Sequence, residues 1–253
     1  MSSLWGKVAR EMARYYFFVD DHLPHQYVFA RNQRRLFAQL PYTDVLSFVH
    51  TRYPVKRYLE IGVDAGATLV LSHAEVNVGV DPAFAIKQPL NGRFSLARTT
   101  SDRFFDQYAG DPFDLVFVDG MHESRQVSRD VFNALRNLSP NGLVAVHDTV
   151  PYHRVVASAR RYTSKWTGDV YRAMIPYLEC RESNLLTLLV PPTGLTLIRG
   201  PRAFLERWGS APDPPRVAYA EYMERVLPTA KRPDSLQELE GLMTRFHPPG
   251  AAG

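Results

Sequence analysis

Residues 58–82 constrain the fold of this chain more than any other stretch. RYLEIGV (57–63) is a short apolar run with one acid, Glu60, and it meets the turn Asp64-Ala65-Gly66 at once. A run this short, closed by glycine, reads as a strand buried on both faces. A short helix is expected next, then a second strand over 77–80, closed by Asp81-Pro82. Gly62 and Gly66 place small residues where a backbone and a helix N-terminus must approach a ligand closely. Asp81 follows Glu60 by 21 residues and Gly62 by 19. That interval lets a second-strand carboxylate accept both hydroxyls of a ribose.

The alternation continues downstream. A weaker third strand is expected over 93–98 and a fourth over 113–118 (FDLVFV), ending in Asp119-Gly120. The fifth, 143–146, ends in His147-Asp148, and 185–190 with 195–198 form a hairpin around Pro191-Pro192-Thr193-Gly194. Between the fourth and fifth, Val127, Val131, Leu135 and Leu138 mark one face of a helix over 123–138, stopped by Ser139-Pro140-Asn141-Gly142. Strands alternating with helices predict an α/β fold: a seven-stranded, mostly parallel sheet with a terminal hairpin, covered on both faces. Ligands of such sheets sit at the carboxyl ends of the strands, where this chain collects Glu60, Asp81, Asp119, His147 and Asp148. Three parts follow: a helical, aromatic-rich extension over 1–55, a central domain over 56–200, and a helix-and-loop extension over 201–253. The last holds 8 of the 19 prolines, enough to break its helices.

Two ligands compete for the glycine turn. A nicotinamide dinucleotide wants G-x-G-x-x-G, but the turn reads G-V-D-A-G-A, without the middle glycine, and Asp64 would face a phosphate. A sulfonium cofactor carries positive charge and no phosphate, so Glu60 and Asp64 become favourable. LEIGVDAG followed by VGVDP closely resembles the first two motifs of the class I S-adenosylmethionine-dependent methyltransferases, and the resemblance extends from 57 to about 200. It implies a Rossmann-like fold, with Glu60, Gly62 and Gly66 bordering the methionine part of the cofactor and Asp81 on the ribose. Ser101-Asp102 in TTSDRFF resembles the element that holds the adenine amino group. An N-cap role for Asp102 is the competing reading.

FVDGMH and VAVHD resemble the metal-dependent branch of that family, which includes catechol, caffeoyl-coenzyme A and antibiotic-sugar O-methyltransferases. The resemblance implies a magnesium or other divalent ion on Asp119, His147 and Asp148. His147 departs from the usual carboxylate or amide, and magnesium prefers oxygen. His122, three residues after Asp119, matches the offset of a catalytic base; His153 is a second candidate. Imidazole suits the task, because a hydroxyl must lose its proton as it attacks the methyl group. Residues 149–183 form an insert placed to cover the reacting groups, and Trp166, Asp169 and Tyr171 within it are candidates for stacking on and hydrogen-bonding a sugar.

Composition narrows the partners. A net charge of +4 and a pI near 9.2 are mildly basic. The densest basic group, Arg31, Arg34 and Arg35, reads as a solvated helix face. No basic patch is interleaved with aromatics, which disfavours the rival reading, an RNA methyltransferase. A second rival, a non-catalytic scaffold with the same fold, leaves Asp119 and Asp148 without a purpose. The single cysteine, Cys180, points to a reducing, cytoplasmic compartment, and no run approaches the roughly 20 apolar residues of a membrane span. The expectation is therefore a metal-assisted O-methyltransferase acting on a sugar hydroxyl. The acceptor would be a small molecule or oligosaccharide, such as a methylated mannoside, or a glycosylated natural product. The aromatic N-terminal helices would serve as a lid or a homodimer contact.

Overall fold

The computed structural model describes residues 25–87, 89–90, 93–179 and 184–247. The early aromatics Trp5, Tyr15, Tyr16, Phe17 and Phe18, together with Cys180 and the 248–253 terminus, lie outside the described residues. Two helices lead, α1 (His25–Leu36) and α2 (Tyr42–Arg52), followed by β1 (Arg57–Ile61), β2 (Val76–Val80) and β3 (Phe94–Ala97). Then come α3 (Ser101–Gln107), β4 (Phe113–Val118), α4 (Ser124–Arg136) and β5 (Leu138–His147). The chain continues with α5 (Val170–Leu178), β6 (Leu185–Leu188) and β7 (Leu195–Arg199), and ends in α6 (Pro201–Arg207), α7 (Tyr219–Val226) and α8 (Leu236–Phe246). The seven strands form one sheet in the order β3-β2-β1-β4-β5-β7-β6. Neighbours from β3 to β5 run parallel, and β7 runs antiparallel to both β5 and β6. This is the expected seven-stranded, mostly parallel, Rossmann-like sheet with its terminal hairpin.

The central strands are apolar on both sides because both sides are covered. On one face Val116, Val118, Val144 and Val146 pack with α4 and α5, through Val127, Val131, Tyr171 and Met174. On the other, Leu115, Phe117, Leu143 and Ala145 pack with α2 and α8, through Val45, Leu46, Val49, Leu239 and Met243. The second helix of the expected N-terminal extension is therefore a layer of the sheet's own sandwich. Its Leu46 and Val49 are fully buried, each contributing about 1.5–3 kcal/mol.

Two local expectations change. The short helix after the glycine turn is only a three-residue 3-10 turn, Leu69–Leu71. Gly66 adopts φ +77° and its N–H bonds back to Val63 O at 2.7 Å, so the chain is spent on turning before a helix can start. Ser139-Pro140-Asn141-Gly142 does not separate helix from strand. It lies inside β5, where pairing with β4 jumps from Phe113↔Leu138 to Leu115↔Leu143. The helix stops earlier, at Asn137. The amino ends of the central strands are tied by Asp114, whose carboxylate accepts the Lys56 and Arg57 N–H groups at 2.9 and 3.0 Å and the Ser139 hydroxyl at 2.9 Å. Among the described residues no helix is long and apolar enough to cross a membrane.

Candidate functional site

The carboxyl ends of β2, β1, β4 and β5 open onto a cavity of about 740 Å³. Gly62, Asp64, Asp81, Ser101, Asp119, His122, His147, Asp148 and Trp166 all line it, so the sheet gathers nine residues singled out in the sequence. Gly62 has φ +85°, and a Cβ there would fall 2.1 Å from Asp119 O. Only glycine lets the β1 turn cross the start of the β4 loop this closely.

The β2 side is held by backbone. Asp81 Oδ2 accepts the Val63 and Asp64 N–H groups at 2.9 and 3.0 Å, and Oδ1 accepts Ala83 N–H at 2.7 Å. Asp81 thereby braces the glycine turn; both lone pairs of Oδ2 are taken, and Oδ1 keeps one for a ligand hydroxyl. Asp64 is exposed at the cavity mouth with φ +43°.

The β4–β5 side is held by side chains. His122 Nε2 lies 3.1 Å from Asp148 Oδ2 and 3.6 Å from Asp119 Oδ1. His122 Nδ1 is 2.8 Å from Trp166 O. A carbonyl can only accept, so Nδ1 carries the proton, and a neutral His122 turns the Nε2 lone pair towards two carboxylates. His147 Nδ1 lies 3.1 Å from Asp119 Oδ1, and the ring of Tyr42 stacks on His147 at 4.1 Å. Thr193, in the β6–β7 loop, donates its hydroxyl to Asp148 Oδ1. Burial alone would raise the Asp119 pKa, but the His147 charge and hydrogen bonds from both histidines hold it well below the usual carboxylate range. Burial would lower His147, yet Asp119 and Asp148 lift it to about 9. His122 is raised against burial by the same two acids. For Asp148 burial prevails, and its pKa is raised. Ligand atoms of Asp119, His122 and Asp148 all lie within 4.8 Å of one another. This set differs from the expected one: His122 takes the place of His147, whose Nδ1 is engaged with Asp119.

The insert locks this arrangement. Gly168 has φ +59°, and a Cβ there would fall 1.8 Å from His122 O. Trp166 stacks obliquely on His122, ring centroids 5.3 Å apart, while its Nε1–H donates to Ser158 O at 2.6 Å. The indole face, not its N–H, is what Trp166 offers to a ligand.

Six expected residues do not line the cavity. Glu60 is fully buried and accepts the Thr68 and Tyr58 hydroxyls at 2.6 and 2.7 Å; burial raises its pKa to about 8 against these two bonds. It is largely protonated at neutral pH and supplies no countercharge. Gly66 is buried within the turn. Asp102 faces Gln126 and Arg129 at 3.2 Å each, and the N-cap of α3 is Thr100, not Asp102. His153 turns to α1, its ring 5.0 Å from Phe29, and its Nδ1 accepts Val155 N–H. Asp169 is buried on Ser124 and Arg172, and Tyr171 is buried with its hydroxyl on Val217 O. The last two belong to the scaffold of the insert, so of the three sugar-contact candidates Trp166 alone faces the cavity.

The sequence reading missed Gln126, Asp130, Tyr42 and Thr193. Asp130 had a signal: it flanks the apolar stripe of α4, four residues after Gln126. Tyr42 and Thr193 had none, since only the fold brings them to His147 and Asp148.

Residues 59–149 match the family described as "Methyltransferase domain". No curated protein matches the chain. Among solved structures, the cofactor-bound protein Rv0187 from MTB is similar at 15% identity over 73% of this chain and 94% of that one, with a TM-score of 0.50. The O-methyltransferase TomG from Streptomyces achromogenes, in complex with SAM, is 16% identical over 74% and 99%, with a TM-score of 0.47. An O-methyltransferase from Bacillus cereus, in complex with SAH, is 14% identical over 72% and 95%, also with a TM-score of 0.47. Residues 59–149 thus match a methyltransferase domain that ends at the β5 loop, and the sheet around them has the Rossmann-like fold of the class I S-adenosylmethionine-dependent methyltransferases.

Proposed function

We propose that the protein transfers a methyl group from S-adenosylmethionine to a hydroxyl oxygen of a small acceptor, with a divalent cation held by Asp119, His122 and Asp148. One observation carries this reading: the Nδ1–H of His122 is committed to Trp166 O, so Nε2 points into two carboxylates. That arrangement is repulsive unless a proton on Nε2 or a cation between the acids closes it, and a bound cation would do so while leaving the imidazole neutral. Metal-bound histidines are oriented in this way by a carbonyl on the other nitrogen. Two carboxylates and one imidazole suit manganese or another transition ion at least as well as magnesium. When bound, such an ion lowers the pKa of a hydroxyl coordinated to it.

The chain's own groups do the rest. Asp81 and Asp64 hold the ribose side of the cofactor, and Gly62 and Gly120 let it lie against the backbone. His147, charged through its pairing with Asp119, positions that acid. Trp166 offers an apolar face beside His122, which favours a sugar ring as acceptor. Together these groups align acceptor oxygen, methyl carbon and sulfur for in-line displacement. With a cation held on Nε2, His122 would not also serve as base through that atom, and the acceptor's proton would be left to solvent; without one, Nε2 is placed to take it.

The test is methyl transfer from labelled cofactor to a panel of sugars, phenols and RNA, after EDTA treatment and with magnesium or manganese restored. Transfer to a sugar that vanishes with EDTA and returns with the cation is expected. Undiminished transfer in EDTA would remove the metal from this reading, and transfer to RNA alone would replace the acceptor.

A further inference from the structure

The insert between β5 and α5 carries Arg154, Arg160, Arg161 and Lys165, and no acid from residue 149 to residue 168. All four cations are exposed, and none pairs with an acid among the described residues. Arg161 is the one that reaches the cavity, which the insert enters through Arg161, Ser164 and Trp166. Asp64, Asp81, Asp119, Asp130 and Asp148 line the same cavity, and Arg161 is its one arginine or lysine among the described residues. A guanidinium in such company would ordinarily pair with a carboxylate. Arg161 comes within ion-pair distance of none of the five, whose ion pairs on the β4–β5 side are with histidines.

The guanidinium is held in place by its own loop. Its Nε–H and one Nη2–H donate to Thr163 O and Ser164 O at 3.4 and 3.0 Å, and its Cζ stands 6.0 Å from the Trp166 ring centroid. The loop is knit in turn by Trp166 Nε1–H on Ser158 O at 2.6 Å and the Thr163 hydroxyl on Lys165 O at 2.8 Å. Of five N–H donors in a planar fork, two are spent on neutral carbonyls. Nη1 makes no hydrogen bond to a described residue, so one edge of the fork stands ready for an acceptor. Trp166 also packs obliquely on His122, ring centroids 5.3 Å apart. The guanidinium and the acid–histidine cluster therefore flank one indole.

A neutral acceptor needs no guanidinium here, and a cationic one would be repelled at the insert. We propose that the methyl acceptor is an anion, a hydroxyl compound whose phosphate or carboxylate group is taken by the Arg161 fork while its hydroxyl lies at His122 and Asp148. Arginine meets both groups with two parallel N–H···O bonds, which a lysine cannot supply. The three other cations of the insert draw an anion towards a cavity whose floor is acidic. The inference rests on the methyl-transfer reading above and adds the acceptor's charge to it. The step is the same: the bond from acceptor oxygen to methyl carbon forms, the sulfur–carbon bond breaks, and the hydroxyl proton is released.

Calorimetry on the full chain, saturated with S-adenosylhomocysteine and magnesium, tests this with glucose, glucose 6-phosphate and glucuronate as probes. At least one of the two acids is expected to bind about tenfold or more tighter than glucose, the range of a hydrogen bond to a charged group. The tighter of the two assigns phosphate or carboxylate. Arg161→Gln is expected to bring that preference within about twofold, and Arg161→Lys, which keeps the charge and loses the fork, to retain part of it. Affinity for S-adenosylhomocysteine should stay within about twofold in both variants, which also shows that they fold. Equal binding of the three probes, binding of none, or a preference that survives Arg161→Gln would overturn the anionic acceptor and leave the methyl-transfer reading standing. Loss of S-adenosylhomocysteine affinity in a folded Arg161→Gln would overturn it as well, by assigning the guanidinium to the cofactor's own carboxylate. Failure of the wild type to bind S-adenosylhomocysteine would overturn both.

Discussion

The two ends of the cavity hold their acids in opposite ways. At the β2 end, Asp81 is fixed by three backbone N–H groups and needs no other charge nearby. At the β4–β5 end, Asp119 and Asp148 are fixed by histidines and by each other's field. A carboxylate on backbone donors is complete before a ligand arrives. Two carboxylates sharing imidazoles are a charge balance that a proton or a cation must close. In the proposed function one end binds and the other reacts.

The sharpest way to break this contrast is Asp148→Asn. Methyl transfer is expected to fall by about 100- to 1000-fold, as when a group aimed at the reacting charge is lost. Affinity for S-adenosylhomocysteine should stay within about twofold by calorimetry. A parallel loss of both would merge the two ends into one. The reverse experiment is Asp81→Asn, with affinity for the cofactor weakened about ten- to hundredfold and turnover at saturating cofactor within a few-fold of wild type. An effect on turnover alone would contradict it.

The smallest effect concerns Glu60, an acid in the sequence motif that belongs to neither end. Its pKa in the folded chain is about 8, above the ordinary carboxylate range it has when unfolded. Between roughly pH 5 and 8 the folded protein keeps a proton that the unfolded chain releases, so stability falls as pH rises, by up to about 1.4 kcal/mol per unit. Glu60→Gln should flatten that slope in urea unfolding followed from pH 5 to 8. A slope identical to wild type would show that Glu60 is ionised in the fold.

What the sequence disclosed follows the same division. The strand and turn from Arg57 to Asp81 were legible because their determinants are local: an apolar run, Gly62 where the turn passes over Asp119, and an acid at a fixed interval. FDLVFV was legible to the residue, since burial on both faces leaves a continuous apolar run. The cluster was legible as a list and not as an arrangement. Both His122 and His147 come within 4 Å of both acids, and that a neutral His122 turns an Nε2 lone pair to them depends on a carbonyl 44 residues away, at Trp166. Asp102 and Asp130 illustrate the same limit. The first stands in the motif and turns to Arg129, while the second stands outside it and faces the cavity. Ser139-Pro140-Asn141-Gly142 has the composition of a loop, and only its pairing partner on β4 makes it part of a strand.

Gly168 lies against the carbonyl of His122 in a conformation that other residues resist. It ties the insert to the backbone of His122. A lineage that remodelled this insert to accept a new substrate would disturb the histidine's proton arrangement in the same stroke. Acceptor range and chemistry would then have to drift together, and grafting the insert of a relative would succeed only where Trp166 and Gly168 travel with it.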